Sequence, residues 1–409
     1  MQIKSKWSTV LNIELRDPMR RLLKEIADVL GSRRRYPFFS LATLLHGGSL
    51  LYGAATASRN ALYDHGMLPT RGVDRPVISI GNITAGGTGK TPMTVQLAKL
   101  LKSFGLKVLI VSRGYKSLGE KAGAVVSDGK RLLCDVRTAG DEPYLMACLL
   151  RQVPVMVGQN RFETARRGVK LFSPDVILLD DAFQHQAMLR DINLVLMDAN
   201  LPLGNSHLLP RGPLREPLSG LNRADAIVFT RCGPSQMTVH SDLAHLLSTK
   251  HVFHCRHITV LRGMVPAGHP LDHMAMAGEK DSLATISQGR PVFAFSGLAN
   301  NPSFFCSISK MGGDVRGTAG FPDHHYYSSR EIGDLVRRAE QLDSHALITT
   351  DKDFVRLPRS ISLKLDLFVL GVEIDFREDM ERWQGFIRQR LAACDAQISK
   401  DCQMLTRVD

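Results

Sequence analysis

Six consecutive residues, Gly86-Gly87-Thr88-Gly89-Lys90-Thr91, bring together what is needed to hold a polyphosphate. Glycines at 86, 87 and 89 let backbone N–H groups converge on phosphate oxygens, and a following helix adds its positive end. Lys90 would reach the β- and γ-phosphates, and the Thr91 hydroxyl would ligate Mg2+. The run departs from the GxxxxGK[ST] pattern at its first glycine, where Thr84 stands, followed by Ala85. The expected cradle therefore runs from Thr84 to Thr91. A strand and a helix must position it. Val77-Ile78-Ser79-Ile80 reads as the strand, and Met93 to Phe104 as the helix, with Val95, Leu97, Leu100 and Leu101 on its apolar face.

The second half of such a site is a strand that ends in carboxylate. Val176-Ile177-Leu178-Leu179-Asp180-Asp181 supplies it, at the edge where open α/β sheets bind ligands. Adjacent acids at a strand end cannot both point inward, so only one of the two can face a metal held against the loop. No NKxD-like guanine signature occurs in a suitable loop, which favours ATP. The net charge of +12, from 52 basic and 40 acidic residues, suits an anionic partner. Aromatic content of 6% with no basic run interleaved with aromatics argues against single-stranded nucleic acid. Seven scattered cysteines with no CxxC pair read as reduced thiols of the cytoplasm.

Around this nucleus the chain alternates short apolar strands with helical patterns. Strands are expected at 108–111, 124–126, 153–157, 176–179, 194–197 and 226–229, which predicts a parallel sheet covered on both faces. A second α/β pattern begins at Pro291, with helices at 301–310 and 329–342 and strands at 346–348 and 367–370. The predicted fold is α/β: a P-loop NTPase-type core, a smaller second α/β domain and an amino-terminal membrane-associated helix. The expected divisions are a basic extension over 1–35, an interfacial helix over 36–66, a kinase core over 67–233, a linker and second domain over 234–377, and a helical tail over 378–409.

From Tyr36 to Ser58 there is no Asp, Glu, Lys or Arg. Phe38, Leu41, Leu44, Leu45, Leu51, Tyr52 and Ala55 fall along one side at helical spacing, which predicts a helix lying in a membrane interface, with Arg33-Arg34-Arg35 on anionic headgroups. A core helix and a true span are the alternatives. A span would carry the nucleotide domain away from its ATP, since the arginines hold the amino end inside.

Further motifs give the chain a resemblance. Gly81-Asn82-Ile83-Thr84, Thr91-Pro92, Ser112-Arg113-Gly114-Tyr115, Gly140-Asp141-Glu142-Pro143 and Asp180-Asp181-Ala182-Phe183-Gln184-His185 follow in order. Beyond them come Leu209-Pro210-Arg211-Gly212-Pro213-Leu214-Arg215-Glu216-Pro217, Phe321-Pro322-Asp323-His324-His325 and Thr350-Asp351-Lys352-Asp353. Together they resemble the tetraacyldisaccharide 4′-kinase family of lipid A biosynthesis. The resemblance implies transfer of the ATP γ-phosphoryl group to the 4′-hydroxyl of an acylated disaccharide 1-phosphate. It also implies a monomer at the cytoplasmic face of the inner membrane of a Gram-negative-type bacterium, peripheral or monotopic.

It further implies that Asp141 is the base, with His324 as its dyad partner, beside Lys90. Thr91, Asp180, Asp181, Glu142 and Gln184 would serve the metal, and Arg113, His185, Arg215 and Glu216 the acceptor. Ala182 and Lys116 stand where the family usually has glycine. Two competitors share the loop: a membrane-associated ATP switch, disfavoured because Ala85 replaces its signature lysine, and a soluble small-molecule kinase.

Overall fold

The computed structural model describes Pro37 and residues 40–233, 241–276 and 289–405. The expectations placed on residues 1–35 and on Phe38 fall outside these. The described chain forms two compact units: one holds the residues up to His257 together with those from Ile374 onward, the other runs from Ile258 to Glu373.

The first unit is built on an eight-stranded sheet of order β3-β4-β2-β5-β1-β6-β7-β8. Its strands are β1 (Val77–Asn82), β2 (Val108–Ser112), β3 (Ala124–Asp128), β4 (Pro154–Val157), β5 (Val176–Asp180), β6 (Ile192–Asp198), β7 (Ala226–Thr230) and β8 (His251–His254). All pair in parallel except the edge strand β3, which runs antiparallel to β4. Every residue of β1, β2, β5 and β7 is buried, as unbroken apolar strands between two helical layers must be. The longer helices are α1 (Leu41–Asp64), α2 (Lys90–Ser103), α3 (Asp141–Leu149) and α4 (Arg161–Phe172).

Two expected boundaries move. The mixed stretch after residue 233 was expected to be linker, yet β8 pairs along its length with β7 and so completes the first sheet. The tail, expected as a division of its own, joins the first unit: α7 (Met380–Leu405) buries Trp383, Phe386 and Ile387 in the same core as Phe253 and Leu97. The Trp383 ring stacks on Phe376 at 4.6 Å and meets Phe253 edge-on at 5.2 Å. Arg390 of this helix pairs with Asp225.

The second unit holds a six-stranded sheet of order β10-β9-β14-β13-β11-β12. These are β9 (Arg256–Val265), β10 (Ala275–Met276), β11 (Pro291–Ser296), β12 (Asp314–Gly320), β13 (Ala346–Thr350) and β14 (Asp366–Asp375). Its principal helices are α5 (Asn301–Lys310) and α6 (Ser329–Gln341). A capping box starts α6, with Ser328 and Glu331 exchanging side-chain and backbone bonds, and Ile332, Leu335, Val336 and Ala339 form its buried stripe. Strand β12 escapes sequence reading because, on the sheet edge, only Ala319 of its seven residues is buried.

Among the described residues no helix is long and apolar enough to cross a membrane. Helix α1 turns an unusual face outward. Leu44, Leu50 and Leu51 are exposed, at 73%, 64% and 76%, whereas Ala42, Ser49 and Asn60 are buried. Tyr52, expected on the apolar outer side, points inward and donates its hydroxyl to the Arg215 carbonyl at 2.6 Å.

Candidate active site

The phosphate loop leaves the carboxyl end of β1 and enters α2 at Gly89, whose φ of 91° lies in the left-handed region. A Cβ there would lie 2.3 Å from the His257 ring nitrogen Nε2, so both conformation and space demand glycine. Gly86 shares the requirement with φ at 120°. Asn82 pins the loop from within: its Nδ2 donates to the Thr84 carbonyl at 2.6 Å and the Thr88 hydroxyl at 3.0 Å. The Ala85 N–H donates to the Pro213 carbonyl at 2.6 Å. The Thr84 carbonyl and the Ala85 N–H, within the expected 84–91 cradle, are thus engaged with protein.

From the β7 side, the Thr230 hydroxyl donates to the Thr88 carbonyl at 2.9 Å and Arg231 Nη2 to the Gly87 carbonyl at 2.7 Å. Nothing in the sequence marked these residues as loop supports. Their signal was only their position at the end of a buried strand.

The two acids at the end of β5 divide as strand geometry requires. Asp180 turns inward, 2% exposed, and accepts from Ser112 Oγ at 3.1 Å and Thr94 Oγ1 at 3.2 Å. Burial, with the Glu142 and Asp181 charges adding to it, pushes its carboxyl up to about 6. Asp181 swings out at φ 46°. It accepts from Arg215 Nη1 at 2.9 and 3.2 Å and lies 3.6 Å from Lys90 Nζ. Burial alone would raise it, but Lys90 and Arg215 outweigh that and hold it below the usual carboxylate range.

Asp141 and Glu142 open α3, with Gly140 rather than either acid at the cap. Arg113 donates to Glu120 at 2.6 Å. His185 sits among arginines: burial first, then the charges of Arg161, Arg190, Arg59 and Arg113, lower its imidazole to about 4, so it is neutral at physiological pH. Arg161 was missed by sequence reading. It is 4% exposed, donates to the Gly158 and Gln159 carbonyls and leaves its Nε without a partner.

Two further expected site residues sit together. Gln184, expected beside the metal, donates its Nε2 to the Asn82 carbonyl and to Glu216 Oε1, both at 2.8 Å. Glu216, expected on the substrate side, is 1% exposed and enclosed by Gln184, Asn60 and Arg223. Gln184 ties the end of β1 to Glu216, and the Glu216 carboxylate, surrounded by three donors, has its hydrogen-bonding needs met within the protein.

His324 lies in the second unit, at φ 63° and 56% exposed, with its backbone N–H donating to Asp323 Oδ1 at 3.1 Å. His325 is structural: it stacks on Phe321 and bonds Glu331 at 3.0 Å. In the Thr350–Asp353 motif, Asp353 is fully buried and accepts from Gly297 N–H, Tyr327 OH and Thr350 Oγ1.

A glycine-rich loop running from a buried strand into a helix, a lysine beside it and a neighbouring strand ended by two acids define a P-loop nucleotide-binding protein on a largely parallel sheet. The family model for LpxK, tetraacyldisaccharide-1-P 4′-kinase, matches residues 41–392, and the chain belongs to this family. A tetraacyldisaccharide 4′-kinase of Desulfatibacillum aliphaticivorans is 40% identical over 351 residues, 84% of this chain and 91% of that one. One from Syntrophus aciditrophicus is 34% identical over 373 residues, 88% and 95% of the two chains. The crystal structure of LpxK from Aquifex aeolicus in complex with ATP superposes with a TM-score of 0.68 at 30% identity, covering 86% of this chain and all of that one.

Proposed function

We propose that the protein transfers the γ-phosphoryl group of ATP to the 4′-hydroxyl of a tetraacyldisaccharide 1-phosphate, a step of lipid A biosynthesis. The observation that carries this reading is the family match, which runs through both units from the first residue of α1 into the carboxyl-terminal helix. The loop supports the donor half. Gly86 and Gly89 have the positive φ a phosphate cradle uses, and no atom lies within 4 Å of where a Cβ on Gly87 would point.

Thr91, at the first turn of α2, and Asp180, buried against Thr94 of the same helix, fit a Mg2+ ion carried in with the nucleotide. Bound there, the ion would neutralise charge on the phosphates. Lys90 supplies positive charge to the β- and γ-phosphates, and Asp181 and Arg215 fix where its ammonium lies. Asp141 takes the proton from the acceptor hydroxyl. Glu142 adds negative charge on the metal side. His185, Arg113 and the buried Arg161 face the anionic acceptor; a neutral imidazole among arginines can donate or accept a hydrogen bond without adding to their charge.

The acceptor's acyl chains stay in a bilayer, and the outward leucines of α1 suit a helix lying in its surface. The protein is then a monomer held at the cytoplasmic face of the inner membrane. Leu51→Asp, at a position 76% exposed, should release it from anionic vesicles without changing its fold. Retained co-sedimentation would count against the interfacial helix.

The deciding experiment incubates the protein with labelled ATP, Mg2+ and a lipid A disaccharide precursor. A 4′-phosphorylated product is expected; its absence, with ATP still bound, would sink the reading.

A further inference from the structure

The inward face of α1 carries polar side chains, and two routes of contacts lead from them to Lys90. The first begins at Tyr52, whose hydroxyl donates to the Arg215 carbonyl at 2.6 Å. Arg215 donates to both oxygens of Asp181, and Asp181 Oδ2 lies 3.6 Å from Lys90 Nζ. The second begins at Asn60, 9% exposed, whose Oδ1 accepts from Gln186 Nε2 at 2.6 Å and whose Nδ2 donates to Glu216 Oε2 at 3.3 Å. Glu216 accepts from Gln184 Nε2, which also donates to the Asn82 carbonyl, and the Asn82 side-chain Oδ1 accepts from Lys90 Nζ at 3.5 Å. Arg59 adds a tie, its Nη2 donating to the Gln184 carbonyl at 2.9 Å.

A helix that only fastened the chain to a lipid surface would have no use for these contacts. Its outer face would suffice, and an apolar inner face would pack without the desolvation that buried amide and carboxylate groups incur. A buried network of hydrogen bonds and ion pairs favours one seating of the elements it joins, and here those elements are α1 and the phosphate loop.

We propose that Tyr52 and Asn60 are positioning residues that tie the seating of α1 to Lys90, so that phosphoryl transfer responds to how this helix lies on a lipid surface. The inference deepens the kinase reading and rests on its donor half, the bound ATP.

The test uses the full chain as wild type, Tyr52→Phe and Asn60→Leu. ATP turnover with Mg2+ and no acceptor is measured with and without vesicles of phosphatidylglycerol and phosphatidylethanolamine, beside the thermal midpoint and vesicle co-sedimentation. Wild-type turnover should rise with vesicles. Each variant should bind vesicles and melt as wild type does, yet lose that rise. Its kcat should fall about fivefold to tenfold, as for one lost hydrogen bond, with KM for ATP nearly unchanged.

Wild-type turnover indifferent to vesicles would overturn the proposal. So would variants that keep the response, or a loss of kcat that only follows a lowered melting point or lost vesicle binding. Should Asn60→Leu fail to fold, Tyr52→Phe, which removes a single oxygen, decides alone. A wild type that turns over ATP but phosphorylates no disaccharide acceptor would overturn the kinase reading instead, leaving the vesicle response to judge this link separately.

Discussion

At the scale of residues, the division of labour between donor and acceptor groups can be separated kinetically. Lys90→Ala should lower kcat/KM by the equivalent of about 2–4 kcal/mol, as for other single charge-stabilising groups, because it removes the ammonium that lies 3.6 Å from Asp181. Asp141→Ala should abolish transfer and leave ATP affinity largely intact, as equilibrium binding of a fluorescent analogue would report; wild-type turnover would remove Asp141 from the base role. Acid should also weaken the fold. His185 and His257 are lowered from 6.5 to about 4, in each case first by burial, then for His185 by the surrounding arginines and for His257 by Arg231, against which Asp198 acts. Below pH 6.5 the unfolded chain takes up protons that the folded chain refuses, so stability drains as pH falls from there toward about 4. The slope of thermal midpoint against pH in that window should flatten in His185→Asn. The loop, Asp180 and Asp181 were legible as residues because their chemistry depends on local spacing. Arg161, Thr230, Arg231 and His257 were not, since their place in the site comes from strand ends brought together by the sheet.

At the scale of elements, the strands of the first sheet were readable because parallel strands buried on both faces are continuous apolar runs. Strands β8 and β12 were not: three of the four residues of β8 and six of the seven of β12 escape full burial, so neither carries the pattern. Helix α1 was recognisable as a helix, but its orientation was misjudged at Tyr52, because a tyrosine counts as apolar in a periodicity and its hydroxyl partner is 163 residues away. The loop after β2 illustrates a local cost. Lys116 sits at φ 60°, where a side chain is strained by about 1 kcal/mol or more, and its N–H is held by Glu120 at 2.9 Å. Lys116→Gly keeps that bond and removes the strain, so it should raise the melting temperature by about 2–4 °C. No rise would mean that the surrounding loop already absorbs the conformation.

At the scale of the whole molecule, the chain leaves its first unit after His257, builds the second, and returns at Ile374 to finish the first. The sequence pattern suggested two α/β blocks in succession and could not show the return, because an amphipathic tail packs equally well on either block. Trp383, fully buried and stacked on Phe376, locks that return segment in place. Trp383→Ala should therefore cost about 3–5 kcal/mol and lower the unfolding midpoint of the nucleotide-binding unit, although it lies far along the chain from the loop. A midpoint unchanged in denaturant would show that the tail only rests on the unit.

The contact between Gly89 and His257 has a genetic consequence. An alanine at 89 meets two obstacles of different origin: the imidazole 2.3 Å from its methyl group and a backbone φ of 91° that a side chain resists. Trimming residue 257 to alanine clears the first and leaves the second. A selection for revertants of Gly89→Ala should accordingly yield true reversion to glycine and no second-site suppressor at 257, making codon 89 one of the least forgiving in the gene.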